Sequence, residues 1–430
     1  MLPRTVLYAV VSLFTFSSFL MGQAKPAKKS SKPLTAKQIW ESALIIDTHA
    51  DTTQRLLDEN FDMASPPPGD QGNLDFAKAK KGNLGAEFFS IWVEPTQFKG
   101  QYAHRALDLI DAVYEQAAKH PDKMMMAFSP ADIERAHREH KLAALMGVEG
   151  GHAIENDLRV LRDYYRLGVR YMTLTWSNTN EWADSSGDID DASVQHHNGL
   201  TEFGKDVVYE MNRLGMMVDI SHVSDKTFYA ALLASRAPVI ASHSSARALT
   251  NAPRNMTDDM LRAVGRNGGV VMVNYYSAFV DENWRKAYDA QAPERNAAVN
   301  AVGEKYKDAD PATRYRMMDE EGKRWAAKIP RPPFSDIIDH IDHVAKVAGI
   351  DHVGLGSDFD GTPSMPEGMD SAADLPKITE GLLKRGYTAD QIRKILGLNL
   401  MRVFRQVEAV SKQLKAAQRP SVARAMSTSK

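Results

Sequence analysis

The chain contains no cysteine. That single absence excludes disulfides, thiolate metal sites and cysteine nucleophiles. Neither sign of charge is in excess: 53 Lys and Arg residues face 55 Asp and Glu residues, for a formal net charge of −2. So even a balance offers no electrostatic footprint for a polyanion, and nucleic acid is not an expected partner. Familiar catalytic signatures are missing too. There is no GxSxG elbow, no phosphate-binding loop and no HExxH zinc motif, and no Ser-His-Asp arrangement stands out.

The N terminus reads as a secretory signal peptide over residues 1–24. Arg4 precedes an apolar run from Val6 to Met21, and the small residues Gly22 and Ala24 precede a basic segment. The run is short for a spanning helix and carries several Ser and Thr, so an uncleaved anchor ranks second. The expected destination is the periplasm or the exterior, with no stable membrane anchor after signal cleavage. Residues 25–34 form a Lys/Pro/Ser linker expected to be mobile, residues 35–410 the folded domain, and residues 411–430 a polar basic tail. With 43% hydrophobic residues the chain has ample material for a core.

Inside that domain a grammar repeats: an apolar run, a polar or small residue, a loop, an amphipathic helix. Eight strand-like runs are readable, beginning at Leu44, Glu87, Leu142, Val169, Gly215, Pro238, Gly269 and His352. Helical patterns separate most of them, which implies parallel pairing through crossovers. The expected fold is therefore α/β, a (β/α)8 TIM-like barrel. An open doubly wound sheet predicts a glycine-rich loop after the first strand, and HADTTQRLL contains no glycine. Residues 51–75 read as loop. Residues 279–333 break the grammar as a charged, helical insertion between strands seven and eight, lying over the barrel or forming an oligomer contact. His340 and His343 read as part of a solvated helix face.

Chemistry in such a barrel gathers at the C-terminal strand ends. Run one ends in His49 and Asp51, which point to the same side of an extended chain. Run three ends in Glu149, run five in His222, run six in His243 and run eight in Asp358. These nitrogen and oxygen donors suit one or two Zn²⁺-like ions, and a pair of ions needs a bridging carboxylate from Glu149 or one of the aspartates. Paired ions activate a water between them. Asp358 then stands where a proton shuttle belongs. His152, three residues after Glu149, is placed to orient a ligand rather than to be one.

The motifs IIDTHAD, NLDFAKAKKGNLGAEFFSIW, GVEGGH, EMNRLGMMVDISHVS, APVIASHSSARALTNAPRNMTDDML, VMVN and GLGSDFDG lie between residues 45 and 361, within a likeness that extends over residues 37–407. In these the chain resembles the membrane dipeptidase (renal dipeptidase) family of zinc peptidases. The resemblance implies two Zn²⁺ per chain, one held by His49 and Asp51 and the other by His222 and His243, with Glu149 bridging. It implies dipeptide substrates, Asp358 as acid/base, Arg254 gripping the substrate carboxylate, and a possible homodimer. The chain departs from the pattern at Trp176, where familiar members carry a histidine that polarises the substrate carbonyl. Trp176 thus falls in the substrate-binding region, and Asn178 and Asn180 are the nearby amide donors. The departure leaves room for a related barrel amidohydrolase acting on another amide or a lactone, or for an inactive metal-binding barrel.

Overall fold

The runs that read as strands are strands, and most are buried along their whole length. The computed structural model describes residues 33–417. The expected signal peptide, most of the linker and the end of the basic tail lie outside the described residues. The strands are β1 (Ile45–Ala50), β2 (Leu84–Trp92), β3 (Met124–Met126), β4 (Leu142–Glu149), β5 (Val169–Thr173), β6 (Met217–Asp219), β7 (Ile240–Ala241), β8 (Val270–Val273) and β9 (Val353–Leu355). Every pairing is parallel. Eight of them close a barrel in the order β1-β2-β4-β5-β6-β7-β8-β9, with β9 returning to β1. A parallel sheet covered on both faces requires apolar residues on both, which is why these runs are nearly continuous rather than alternating.

The ninth strand was not anticipated. β3 pairs only with the first half of β4, outside the closed ring. Three methionines carry little strand signal, and only the neighbouring backbone makes them extended.

Side chains alternate across the wall. Ile46, Phe88, Leu145, Tyr171, Met217 and Met272 form one cluster with Leu400, Met401, Phe404 and Val407 of the helix Asn399–Ala417. That helix closes the barrel at the N-terminal strand ends. Ile45, Phe89, Ile91, Met146 and Val148 belong to a larger cluster shared with the surrounding helices. The closing helix also moves a boundary. It runs to Ala417, with Ser411 buried and its hydroxyl donating to Arg213 O at 2.8 Å, so the ordered chain passes the expected limit at residue 410.

Two further expectations are corrected. The segment after β1 is not loop throughout: the helix Thr52–Asp58 follows directly, in a stretch free of Gly and Pro. His340 is not solvated. It lies on the buried face of the helix Ser335–Ala348 with Ile337, Ile341 and Val344. Its Nδ1 accepts from Ala246 N at 3.0 Å and its Nε2 donates to Val280 O at 3.1 Å. Ile337 and Val344, at i−3 and i+4, put His340 on that face, which its polarity had concealed in the sequence reading.

Burial drives the His340 pKa down to about 4, from 6.5 for a free imidazole. The unfolded chain then binds more protons between these values, so stability rises with pH there and is lost as pH falls from about 6.5 to about 4. Urea unfolding of wild type and His340→Gln across that range should show the wild type losing ground by about 1.4 kcal/mol per pH unit. Parallel curves would contradict a neutral buried imidazole.

Candidate metal centre

The five expected ligands converge at the C-terminal mouth of the barrel, and Glu149 lies at their centre. It ends β4 with one carboxylate oxygen toward each side of the mouth. Oε2 is 3.2 Å from His49 Nε2 and accepts from Ser90 Oγ of β2 at 3.1 Å. Oε1 is 2.8 Å from His222 Nε2 and 3.4 Å from His243 Nε2. His49 Nε2 is also 3.6 Å from Asp51 Oδ2, and the His49 and His243 rings stack at 3.8 Å. Two groupings bring ligand atoms within 4.8 Å of one another: His49, Glu149 and His243, and His49, Asp51 and Asp358.

Outer partners select which ring nitrogen faces inward. The Tyr171 hydroxyl donates to Thr48 O at 3.0 Å, so it accepts from His49 Nδ1–H at 2.8 Å and leaves Nε2 as the inward lone pair. Ser242 works alike for His243. Its hydroxyl donates to Asp219 Oδ2 and takes the Nδ1–H at 2.7 Å. Asp219 further accepts from Thr173 Oγ1, Ser221 N and Ser242 N, locking together the ends of β5, β6 and β7. Tyr171 and Asp219 escaped the sequence reading because neither follows a strand end; both sit within strands, where an inward residue reads as core.

Backbone conformation aims the remaining groups. His222 and Asp358 both adopt left-handed φ of 65°, uncommon for residues other than glycine and concentrated at functional sites. Asp358 Oδ2 accepts from Asn274 Nδ2 at 2.8 Å. Burial, together with the nearby Asp51 and Glu149 carboxylates, lifts its pKa to about 7. Burial lowers His222 to about 4 and holds His243 well below the usual imidazole value. Burial opposes a charge on His49 too, but the Tyr171 hydroxyl and the Glu149 and Asp51 carboxylates outweigh it and hold its pKa well above normal.

Arg254 lies beside this cluster. It donates to Ser244 Oγ at 2.7 Å and to His243 O at 3.0 Å, while its buried Nε has no partner. No carboxylate of the described residues lies within ion-pair distance of it. Trp176 is half-buried, its ring 6.3 Å from His222. His152 turns away: Nε2 donates to Val93 O at 2.8 Å and the ring edge meets Tyr102. It makes no hydrogen bond to the cluster. Asn180 is committed to its own loop, donating to Leu174 O and accepting from Trp182 N and Ala183 N.

The donor set fits a metal. His49 Nε2, Asp51 Oδ1 and His222 Nδ1 are buried without hydrogen-bond partners. His49 Nε2 faces both Asp51 and Glu149, and the Nε2 atoms of His222 and His243 face Glu149 Oε1, a gathering of nitrogen and oxygen donors that a divalent cation satisfies.

The close quarters generate a test. A Cβ on Gly361 would lie 2.0 Å from Asp51 Oδ2 and 2.5 Å from Asp358 Oδ1. Gly361→Ala should therefore leave the fold intact, as judged by circular dichroism, and weaken metal binding by about 10–100-fold in a chelator competition. Unchanged affinity would show that these two carboxylates do not share one site.

Comparison with known proteins bears on the family and the fold. The profile of the membrane dipeptidase family, peptidase family M19, matches residues 34–418. Among solved structures, the probable dipeptidase PvdM from Pseudomonas aeruginosa is 24% identical with a TM-score of 0.72, covering 87% of this chain and 98% of its own. A metallopeptidase from Rhodobacter sphaeroides, solved with a phosphinate mimic of the dipeptide L-Ala-D-Ala, is 24% identical with a TM-score of 0.67, covering 85% and 99%. At such identities these likenesses speak for the fold alone. The profile spans nearly the whole ordered chain, and on it the protein belongs to the membrane dipeptidase family of metallopeptidases.

Proposed function

We propose that the protein is an exported, zinc-dependent dipeptidase. The observation that carries this reading is the divided Glu149 carboxylate, with His49 on one oxygen and His222 and His243 on the other. Two ions would be held, one by His49 and Asp51, one by His222 and His243, with Glu149 common to both. When bound, they supply an acidified water and a positive field for charge developing on the carbonyl oxygen.

The chain's own groups supply the rest. Arg254 has an unpartnered Nε and, among the described residues, no carboxylate within ion-pair distance, which suits the terminal carboxylate of a short peptide. Asp358 accepts a proton from the attacking water and delivers it to the departing amine nitrogen. Burial, with the Asp51 and Glu149 carboxylates beside it, raises its pKa to about 7, and a group poised near the operating pH can both take up and return a proton. Asn274 holds Oδ2 and leaves Oδ1 to face the reacting groups. The signal-like N terminus supports export, and no helix among the described residues is long and apolar enough to cross a membrane.

A second reading, hydrolysis of another amide or a lactone, is favoured by one feature. The cavity at the mouth is about 900 Å³, near the top of the range for ligand pockets of roughly 300–1,000 Å³. A screen of dipeptides, including D-residues, beside acylated amino acids, lactones and β-lactams separates the two.

With zinc supplied, the protein should cleave dipeptides but not N-acyl amides lacking a free carboxylate. Asp358→Asn should lower kcat by about 10²–10⁴-fold with metal content unchanged. Arg254→Lys should raise KM for dipeptides by about 10–100-fold. Full activity in the Asn variant would remove the proton-shuttle role.

A further inference from the structure

The insertion between β8 and β9 brings one side chain down to the metal centre. Four helices occupy it: Ser277–Val280, Glu282–Ala290, Ala292–Lys305 and Pro311–Ala326. The last contributes Tyr315, Asp319 and Lys323 to the same cavity wall as Asp51, Glu149, His222 and Asp358. Its position relative to the barrel is pinned from both sides. Arg314 Nη1 donates to Gln97 Oε1 in the loop after β2 at 3.1 Å, and its Nε donates to Gly303 O at 3.0 Å.

Tyr315 stands next to that anchor. Its ring lies 5.1 Å from Trp92 at the end of β2, and Trp92 lies 4.9 Å from Trp176. The three rings make a continuous wall over the Glu149 side of the mouth. Tyr315 lines the same cavity as Asp51 and Glu149, and burial, with the Asp319 and Asp51 carboxylates adding to it, keeps its phenol protonated well above its usual range.

Two other polar residues near this wall are already committed. Asn180 is held by its own loop, and Ser185 donates to Trp176 O and His222 O. Arg254 reaches the centre from the loop after β7, across the mouth from β2 and β4. A peptide gripped there by its carboxylate would extend across the mouth toward β2 and β4, the side on which Tyr315 packs on Trp92 and lines the cavity.

We propose that Tyr315 is a catalytic residue: its hydroxyl donates a hydrogen bond to the substrate carbonyl oxygen as negative charge gathers on it. This rests on the dipeptidase reading above. A donor aimed at a developing oxyanion in a dry site strengthens as the reaction proceeds. The aromatic wall fixes its ring, so little reorganisation is needed when the charge appears. Trp176, whose indole N–H can donate but cannot titrate, then serves as wall rather than acid.

Tyr315→Phe keeps the ring and removes only the hydroxyl. In the zinc-loaded full-length enzyme it should lower kcat by about 10–100-fold while KM stays within about threefold. Affinity for a phosphinate dipeptide analogue, whose tetrahedral oxygens imitate the attacked carbonyl, should fall by a similar factor, with metal content and thermal midpoint unchanged. A variant with wild-type kcat overturns the assignment. So does a drop in kcat without loss of phosphinate affinity, because the hydroxyl would then act elsewhere. A wild-type enzyme inert on every dipeptide would sink the dipeptidase reading and this proposal together; an active wild type with an unaffected variant would sink only the latter.

Discussion

Glu149, Asp51 and Asp358 are three buried carboxylates crowded at one mouth, and three imidazoles lie among them. Carboxylates taken out of water and set side by side repel one another, and burial alone raises the cost of charging each. The site is tenable because the imidazoles interleave with the acids and because their inward nitrogens are all lone pairs or shared protons. A divalent ion completes what protons can only partly balance. Proton and metal compete for the same atoms, so the raised His49 and Asp358 and the depressed His222 and His243 reflect how burial and neighbouring carboxylates divide the protons among these groups. The strained backbone at His222 and Asp358 is tolerable for the same reason: the surrounding network fixes both residues in place.

The barrel's role is to make this crowding rigid. β1 supplies His49, β4 Glu149, β6 His222 through the turn that follows it, β7 His243 and β9 Asp358. Asp219, with four hydrogen bonds, holds three strand ends together and sets the His243 tautomer through Ser242. Tyr171 does the equivalent for His49 from inside the barrel. Gly147 makes that possible, since a Cβ there would lie 2.0 Å from the Tyr171 ring. Room at Gly147, orientation at Tyr171 and basicity at His49 are one chain of cause.

Much of this was legible from residue order. The apolar runs located all eight barrel strands, and the polar residues closing those runs named the groups that meet at the mouth. What stayed hidden shares a physical cause. β3 is extended only because β4 lies beside it. Tyr171 and Asp219 sit where a pattern of burial cannot distinguish a packing residue from an orienting one. Tyr315 lies in a charged helical insertion with no motif, and its place in the cavity wall comes with a tertiary anchor between Arg314 and Gln97. His340 was misjudged by weighing its polarity over the period of its neighbours.

The closing helix Asn399–Ala417 has a consequence for assembly. β1 is hydrogen-bonded to β9, and the barrel's far end is filled by Leu400, Phe404 and Val407. A chain lacking its final segment can neither close the ring nor shield its inward apolar side chains. His49 at the end of β1 and Asp358 after β9 are therefore brought together only once the last part of the chain has been made, so the mouth takes its final shape late in folding.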